Sequence, residues 1–356
     1  MRILEIGETP FMGAYAPGLT DFFSVHKDAK PEVRLTLRRI SDLRRQLQEG
    51  RYDLVVYHLR AKMNAPWHRH GPGIRSAFES ASWSMSAFYK MAWHYFHSVL
   101  AGVDTPLVII DVQDAPRITK TESFWLDRAR FWFMRELPPN HFNLFLNMDR
   151  RSGDVINIQR EPRLARNFSK IRPFSLGFDV RSTEGVEPVP PEGKIHDIFY
   201  AGANHTSTVR QAGLKELKAL QADGVRVHLP EKRMPPAEFF RICAQSWLIW
   251  SPEGQGWDCH RHYEALMLGS VPVINQPTIE RHQPLIHGEH CLYYRTEPGG
   301  LTEAVTRALA DRPALARISA QGRTHVLQHH THGQLARHVL ESVNLLEKAG
   351  DGVLDR

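Results

Sequence analysis

SPEGQGWDCHRHYEALMLGSVPVI, residues Ser251–Ile274, is the stretch on which the reading of this chain turns. Just before it, SWLIW (Ser246–Trp250) is a short apolar run bounded by Pro252, which suits a buried strand better than a helix of so few residues. Gly254 and Gly256 then loosen the backbone. From His260 the period changes: Tyr263, Leu266 and Met267 recur at helical spacing, Gly269 is a stop, and Val271–Ile274 is a second strand. The order is strand, glycine loop, helix, strand. In a parallel sheet such a loop lies at the carboxyl end of its strand, where open α/β sheets bind ligands, and the helix start offers free N–H groups to an anion. Arg261, in the first helical turn, adds a full positive charge and a planar fork suited to phosphate oxygens. Glu264, one turn on, is placed to accept hydrogen bonds from sugar or ribose hydroxyls.

The pattern Gly254-x-Gly256, Arg261-x-x-Glu264-Ala265-Leu266, Gly269, Pro272-Val273-Ile274 resembles the donor-binding segment of GT-B glycosyltransferases, nearest to the exostosin-like and spore-maturation glycosyltransferase-like groups. The resemblance covers roughly the C-terminal half. It implies an α/β fold of two Rossmann-like domains facing a central cleft, with a C-terminal helix crossing back to the first. It also implies that Arg261 meets the diphosphate of a nucleotide sugar and Glu264 its ribose, with Gly254, Gly256, Asp258, His260, Arg210 and Asn204 completing the donor site. Many retaining relatives carry two glutamates eight positions apart; here Glu253 stands eleven before Glu264. The stereochemistry of transfer is left open by that departure.

A chain of 356 residues is long enough for two domains, each with its own core. Hydrophobic content of 42% and charged content of 24% are those of a globular protein. No run approaches the ~18 to 20 apolar residues that span a bilayer. MRILEIGETP opens on a strand rather than on the basic-then-apolar order of a signal peptide, so a cytoplasmic address is expected. Cys243, Cys259 and Cys291 are odd in number and far apart, which excludes a disulfide framework and a zinc pattern. The net charge, 45 minus 39 or +6, suits anionic ligands such as nucleotide diphosphates, or peripheral association with a phospholipid surface. A nucleic-acid partner is not expected, because no basic run interleaved with aromatics is present.

In the first half, Arg2–Ile6 reads as a strand ending at Gly7-Glu8-Thr9-Pro10, without the glycine offsets of a dinucleotide fingerprint. Val33–Ile40 alternates like a strand, Ser41 caps a helix over Asp42–Gln48, and Asp53–Tyr57 is the next strand. Asn64–Ser98 is aromatic-rich and reads as a helix pair; Trp67–Gly73 is alternatively an acceptor loop, since aromatic faces stack on sugar rings. His68 and His70 lack a third ligand for a metal. Pro106–Ile110 is a buried strand, followed by Asp111 and Asp114 as acid/base candidates. The segments Arg130–Leu137 and Ile171–Asp179 resemble those flanking the interdomain region in such glycosyltransferases. STEGVEPVPPEGK, within residues 181–194, has linker composition. The expected division is therefore 1–180, an acceptor-side domain; 181–194, a linker; 195–335, a nucleotide-sugar domain; and 336–356, a returning helix.

The second half restarts with a strand at Asp197–Tyr200, a loop from Ala201 to Ser207, and a helix over Thr208–Gln221 capped by Thr206 or Ser207. Val225–Leu229 and Cys291–Tyr294 are strands; Pro235–Cys243, Thr302–Ala310 and Pro313–Leu346 are helical. The histidines His325, His329, His330 and His332 read as a polar helix end. The functional expectation is metal-independent transfer of a sugar from a nucleotide-sugar donor to a hydroxyl of a glycan, lipid-linked or other acceptor, without a cofactor. Arg261, the helix start and Arg210 would stabilise the leaving diphosphate. An inverting enzyme needs a base from the first domain, for which Asp114 and Glu8 lead, with Asp21 and His26 behind. The alternatives are a nucleotide-sugar epimerase or hydrolase of the same fold, and a non-catalytic nucleotide-sugar-binding or structural module.

Overall fold

The computed structural model describes residues 1–7, 10–24, 30, 32–59, 95–118, 122–145, 165–183 and 185–345. Glu8, His26, the Trp67–Gly73 loop with His68 and His70, and most of the aromatic stretch before Ser98 lie outside the described residues. The chain divides into two compact units, Met1–Phe174 with Ala336–Arg356, and Ser175–Leu335.

Unit 1 is built on a six-stranded sheet in the order β2-β1-β3-β4-β5-β6. Its strands are β1 (Ile3–Gly7), β2 (Thr20–Ser24), β3 (Leu54–Leu59), β4 (Leu107–Asp111), β5 (Phe131–Met134) and β6 (Ile171–Pro173), and every pairing is parallel. β1, β3 and β4 are buried along their whole length, as strands covered on both faces must be, which explains why they read as continuous apolar runs. Between β1 and β2 lies a single helical turn, α1 (Met12–Tyr15), and between β2 and β3 the helix α2 (Leu37–Gln48). α2 buries Ile40, Leu43 and Leu47, spaced three and four apart, against the sheet. The short helix α3 (Ser123–Arg128) connects β4 to β5.

The strand expected at Val33–Ile40 is replaced by the start of α2. Thr36 is its cap, the hydroxyl accepting the Arg39 N–H at 3.3 Å, so Ser41 falls inside the helix. The alternation of Val33, Leu35 and Leu37 is too short to build more than one bridge, Arg34 to Ser24, once a capping threonine offers the backbone a helical alternative.

Unit 2 carries a five-stranded parallel sheet in the order β11-β10-β9-β7-β8. Its strands are β7 (His196–Phe199), β8 (Val227–His228), β9 (Ser246–Trp250), β10 (Val271–Asn275) and β11 (Leu292–Tyr294). Crossovers are α4 (Thr208–Ala222), α5 (Pro236–Ala244) and α6 (His260–Met267), followed by α7 (Gly300–Leu309), α8 (Arg312–His329) and α9 (His332–Ser342). Gly269 ends α6 at φ +77, a left-handed conformation that a side chain would disfavour. Gly213 lets α4 lie directly on Trp250: a methyl there would stand 2.2 Å from the indole. From Ala336 on the chain is again part of unit 1, where the His338 ring meets Phe133 at 5.4 Å.

Two expectations about connectivity are corrected here. Residues 181–194 are not a detached linker but part of unit 2: the Lys194 ammonium donates to the Ala244 and Gly269 carbonyls at 2.8 and 2.7 Å. Proline and glycine limit regular structure there to short 3-10 turns, Val180–Thr183 and Pro191–Gly193, without preventing packing. The helix expected over Pro313–Leu346 is broken between α8 and α9, where Phe178 bridges to Thr331: its N–H donates to the His330 carbonyl at 2.8 Å and its carbonyl accepts the His332 N–H at 3.0 Å. At that break His330 is 2% exposed rather than part of a polar helix end, its Nδ1 facing the Ser175 hydroxyl and its Nε2 facing the Gln283 carbonyl.

Candidate functional site

In unit 2 the chain runs from β7 outward to β8, then reverses to place β9, β10 and β11 on the other side of β7. The carboxyl ends of β7 and β9 are therefore adjacent at the point where strand order reverses, the usual ligand position in open parallel sheets. Two loops start there: Tyr200–Ser207 after β7, and Ser251–Cys259 after β9, the latter leading into α6.

Arg261, one residue into α6, reaches across both. Its guanidinium donates to the Ala201 carbonyl of the first loop at 2.8 Å and to the Pro252 carbonyl of the second at 3.3 Å, and lies 5.3 Å from the centre of the Tyr200 ring. Its Nε–H is buried without a hydrogen-bond partner. Arg210, in the first turn of α4, is buried, and its donors are taken up by the loops: Nε by Glu253 O at 2.9 Å, Nη1 by Ala203 O and Thr206 Oγ1, Nη2 by Pro252 O. Burial and the neighbouring Arg261 charge push the Arg210 guanidinium below its ordinary value. Neither arginine forms an ion pair among the described residues. Two cations thus share a partly dry site in which their hydrogen-bond partners are carbonyls, a hydroxyl and the Cys259 thiol, and neither is paired with an anion among the described residues.

Glu264 lies one turn beyond Arg261 on α6, and its carboxylate makes no hydrogen bond among the described residues. Burial pushes it up to about 7 against the opposing pull of Arg261. Gly254 serves close approach, not loosening: a methyl there would stand 2.7 Å from Arg210 Nη2. Its N–H donates to the Gly256 carbonyl, which closes a tight turn. Ser207 caps α4, accepting the Arg210 N–H, and donates to the Glu253 carbonyl, which links the two loops again. Asn275 at the end of β10 accepts the Glu253 N–H and donates to its carboxylate, each at 2.9 Å. The His262 Nε2–H donates to the Trp257 carbonyl and its Nδ1 faces the Ser251 hydroxyl, so the imidazole is a buried brace for the loop.

The remaining expected donor residues are placed differently. Asp258 is buried and accepts the Leu176 N–H at 2.7 Å and the Tyr263 hydroxyl at 2.8 Å, a fastening role within unit 2. His260 is exposed at the start of α6, and Asn204 is exposed in a turn of the first loop. In unit 1, Asp114 follows β4, is half exposed and pairs with Arg135 at 2.9 Å; Asp21 is held by Arg2 and Tyr52.

Sequence reasoning passed over a carboxylate–imidazole pair in unit 1. Its strand order reverses between β1 and β3, and there the buried Glu5 accepts from His58 Nε2 at 3.0 Å as well as from the Phe11 and Met12 N–H groups. Gly7 allows this contact, since a methyl would come 2.5 Å from the His58 ring. Asp111, pushed by burial up to about 7, accepts the Trp132 indole N–H at the end of β4. The available signal for the pair was a charged or titratable residue inside an otherwise apolar strand, Glu5 in ILEIG and His58 in LVVYHL, as Asp111 in LVIID already stood out as an acid/base candidate. Among the described residues no group of histidine, cysteine and acidic side chains could hold a metal ion.

Comparison with known proteins bears on the fold and on residues 213–341. Residues 213–341 match the family model described as glycosyl transferase-like, without distinguishing the exostosin-like or spore-maturation groups. No curated protein sequence matches significantly. Among solved structures, an alpha-glucosyltransferase in complex with UDP and a 13-mer DNA superposes with a TM-score of 0.56 at 11% identity, covering 97% of this chain and 99% of that one. The alpha-glucosyltransferase in complex with UDP-glucose and DNA containing an abasic site gives 0.51 at 10%, covering 97% and 99%. A glycosyltransferase from Rickettsia africae gives 0.50 at 10%, covering 99% of each chain. At such identities the likeness bears on the fold alone. The fold is therefore that of GT-B glycosyltransferases, and the glycosyl transferase-like match lies almost wholly within unit 2.

Proposed function

We propose that this protein moves a sugar from a nucleotide-sugar donor to an acceptor hydroxyl, and that unit 2 holds the donor at the β7/β9 switch point. The observation that carries the reading is Arg261: a guanidinium tied to both loops, with a buried unpartnered N–H and a second arginine beside it, and no ion-pair partner for either among the described residues. A diphosphate fits that deficit. As the sugar–diphosphate bond breaks, charge accumulates on the leaving oxygens, and Arg261, the α6 start and the field of Arg210 stabilise it without requiring a metal. Arg210 acts mainly by holding Glu253 and Pro252 in place, since its own donors are engaged. Glu264 receives the ribose hydroxyls. Gly254 and Gly256 shape the turn around the phosphates, with His260, Asn204 and Asp258 at its margins.

For the acceptor we propose a glycan, lipid-linked or other hydroxyl in glycan or glycoconjugate synthesis, and for an inverting reaction a base at Asp114 or Glu8. Asp114 must leave Arg135 or use it as a counter-charge to serve. The test is a coupled assay for nucleotide diphosphate release from UDP-, GDP- and TDP-sugars, with and without acceptor extract. Transfer requires release that depends on acceptor and survives a chelator. Release without acceptor assigns a hydrolase, and binding with no turnover a non-catalytic module; either result refutes transfer.

A further inference from the structure

We propose that the Tyr200 hydroxyl is a ligand of the donor's diphosphate, an inference that rests on the donor-site reading above. Tyr200 directly follows β7, at the switch point, and is 2% exposed; its hydroxyl is buried with no hydrogen-bond partner. The ring has ample reason to be there, packing on Trp250 at 4.6 Å and beneath the Arg261 guanidinium at 5.3 Å. A phenylalanine would make both contacts. The oxygen is therefore the feature that packing does not explain, and an unpaired buried hydroxyl is a cost that folding alone gives no reason to keep.

Its neighbours say what it awaits. A methyl on Gly202 would come 2.6 Å from Arg261 Nη1 and 2.9 Å from the Tyr200 oxygen, so both groups converge on the same point of bare backbone. The Tyr200 O–H, which lacks an acceptor, thus lies close to the guanidinium of Arg261, whose Nε–H also lacks one, in a field that Arg210 makes more positive. The complement is an anion rich in oxygens that accepts from an O–H and a guanidinium at once, which describes a diphosphate and not a ribose or a base. Burial pushes the phenol upward, which keeps it a donor at neutral pH. Gly202 leaves the space beside the hydroxyl free of a side chain: a methyl there would crowd both the Tyr200 oxygen and Arg261 Nη1.

The experiment compares wild type, Tyr200→Phe and Arg261→Ala by calorimetry and thermal shift with UDP, GDP, TDP, inorganic pyrophosphate and uridine. Tyr200→Phe is expected to raise the Kd for the preferred nucleoside diphosphate, and for pyrophosphate, about 10- to 100-fold. Uridine binding and the Tm of the unliganded protein should not fall, because the hydroxyl has no partner to lose. If wild type binds well, Arg261→Ala does not, and Tyr200→Phe binds like wild type, the donor site stands and this inference is overturned. An equal loss for uridine, or a lower unliganded Tm with unchanged affinity, overturns it as well. If wild type binds none of the diphosphates, the donor-site reading itself falls, and the inference with it.

Discussion

Glu264 shows how a single side chain carries the electrostatics of this site. Raised to about 7 by burial, it keeps its proton in the folded protein over the range where an unfolded chain, at the ordinary 4.5, has lost it. The sign follows: its contribution to stability is full below 4.5 and is lost as pH rises through about 7, while the carboxylate form, which the proposed donor role would use to accept ribose hydroxyls, grows over the same interval. Donor affinity should therefore rise from pH 6 to pH 8 and level off, and Glu264→Gln should flatten that rise and bind more weakly at pH 8; calorimetry at the two pH values decides. Arg261→Ala should cost at least ~2 kcal/mol of donor binding, since a charge-assisted contact with a phosphate is lost in a partly dry setting; the absence of a nucleotide-induced Tm shift is the readout. Arg261 and Glu264 were legible in the sequence because helical spacing alone puts them one turn apart. Tyr200, Gly202 and the Glu5–His58 pair were not, because their significance comes from neighbours 60 and 53 positions away along the chain, as in the Arg261–Ala201 and Glu5–His58 contacts.

At the level of elements, β9, the loop, α6 and β10 were readable in order, because an apolar run, two glycines and a helical period follow one another without competition. α2 was misread because three alternating apolar residues precede a threonine cap, and local alternation is a weak signal beside a cap that satisfies a helix terminus. The break after α8 was hidden for another reason: it is made by a backbone bridge from Phe178, which no helical pattern records. Gly213 in α4 gives a test of packing against propensity. Alanine favours a helix interior by roughly 0.5–1 kcal/mol over glycine, but here its methyl would meet the buried Trp250 ring, which is anchored by a 3.0 Å bond to Tyr294, and overpacking costs about 1–3 kcal/mol or more. Gly213→Ala should therefore lower the Tm. At the α8–α9 break, burial holds His330 down to about 3 and His332 to about 4, so both stay neutral in the fold. Below the ordinary 6.5 the unfolded chain takes up protons that the fold refuses, and stability should fall as pH drops from 6.5 toward 4. A thermal melt series should show a smaller loss for His330→Gln over that range.

Across the whole molecule, two parallel sheets were foreseeable from the repeated alternation of strand and helix signals, and the reversal of strand order in each marks the point where sheets of this kind usually bind ligands. Which residues belong to which unit was harder to see, since composition marks irregular backbone but not what it packs on, as Lys194 shows. The surplus of positive charge is a property of the full chain, and no described helix is long and apolar enough to cross a membrane. Peripheral association with an anionic surface is proposed on that surplus: co-sedimentation with phosphatidylserine vesicles should occur at low salt and weaken several-fold by about 0.15 M, where the Debye length is about 8 Å. Binding that is indifferent to salt, or absent at low salt, would remove the surface from consideration.

The bond from one guanidinium to the carbonyls of Ala201 and Pro252 has a consequence for anyone redesigning specificity. The two mouth segments are bolted through a shared rivet, so transplanting either from a homologue without its companion shifts the rivet and detunes both. Exchanges made as a matched pair, with the arginine left where it is, are the ones that should keep a working pocket.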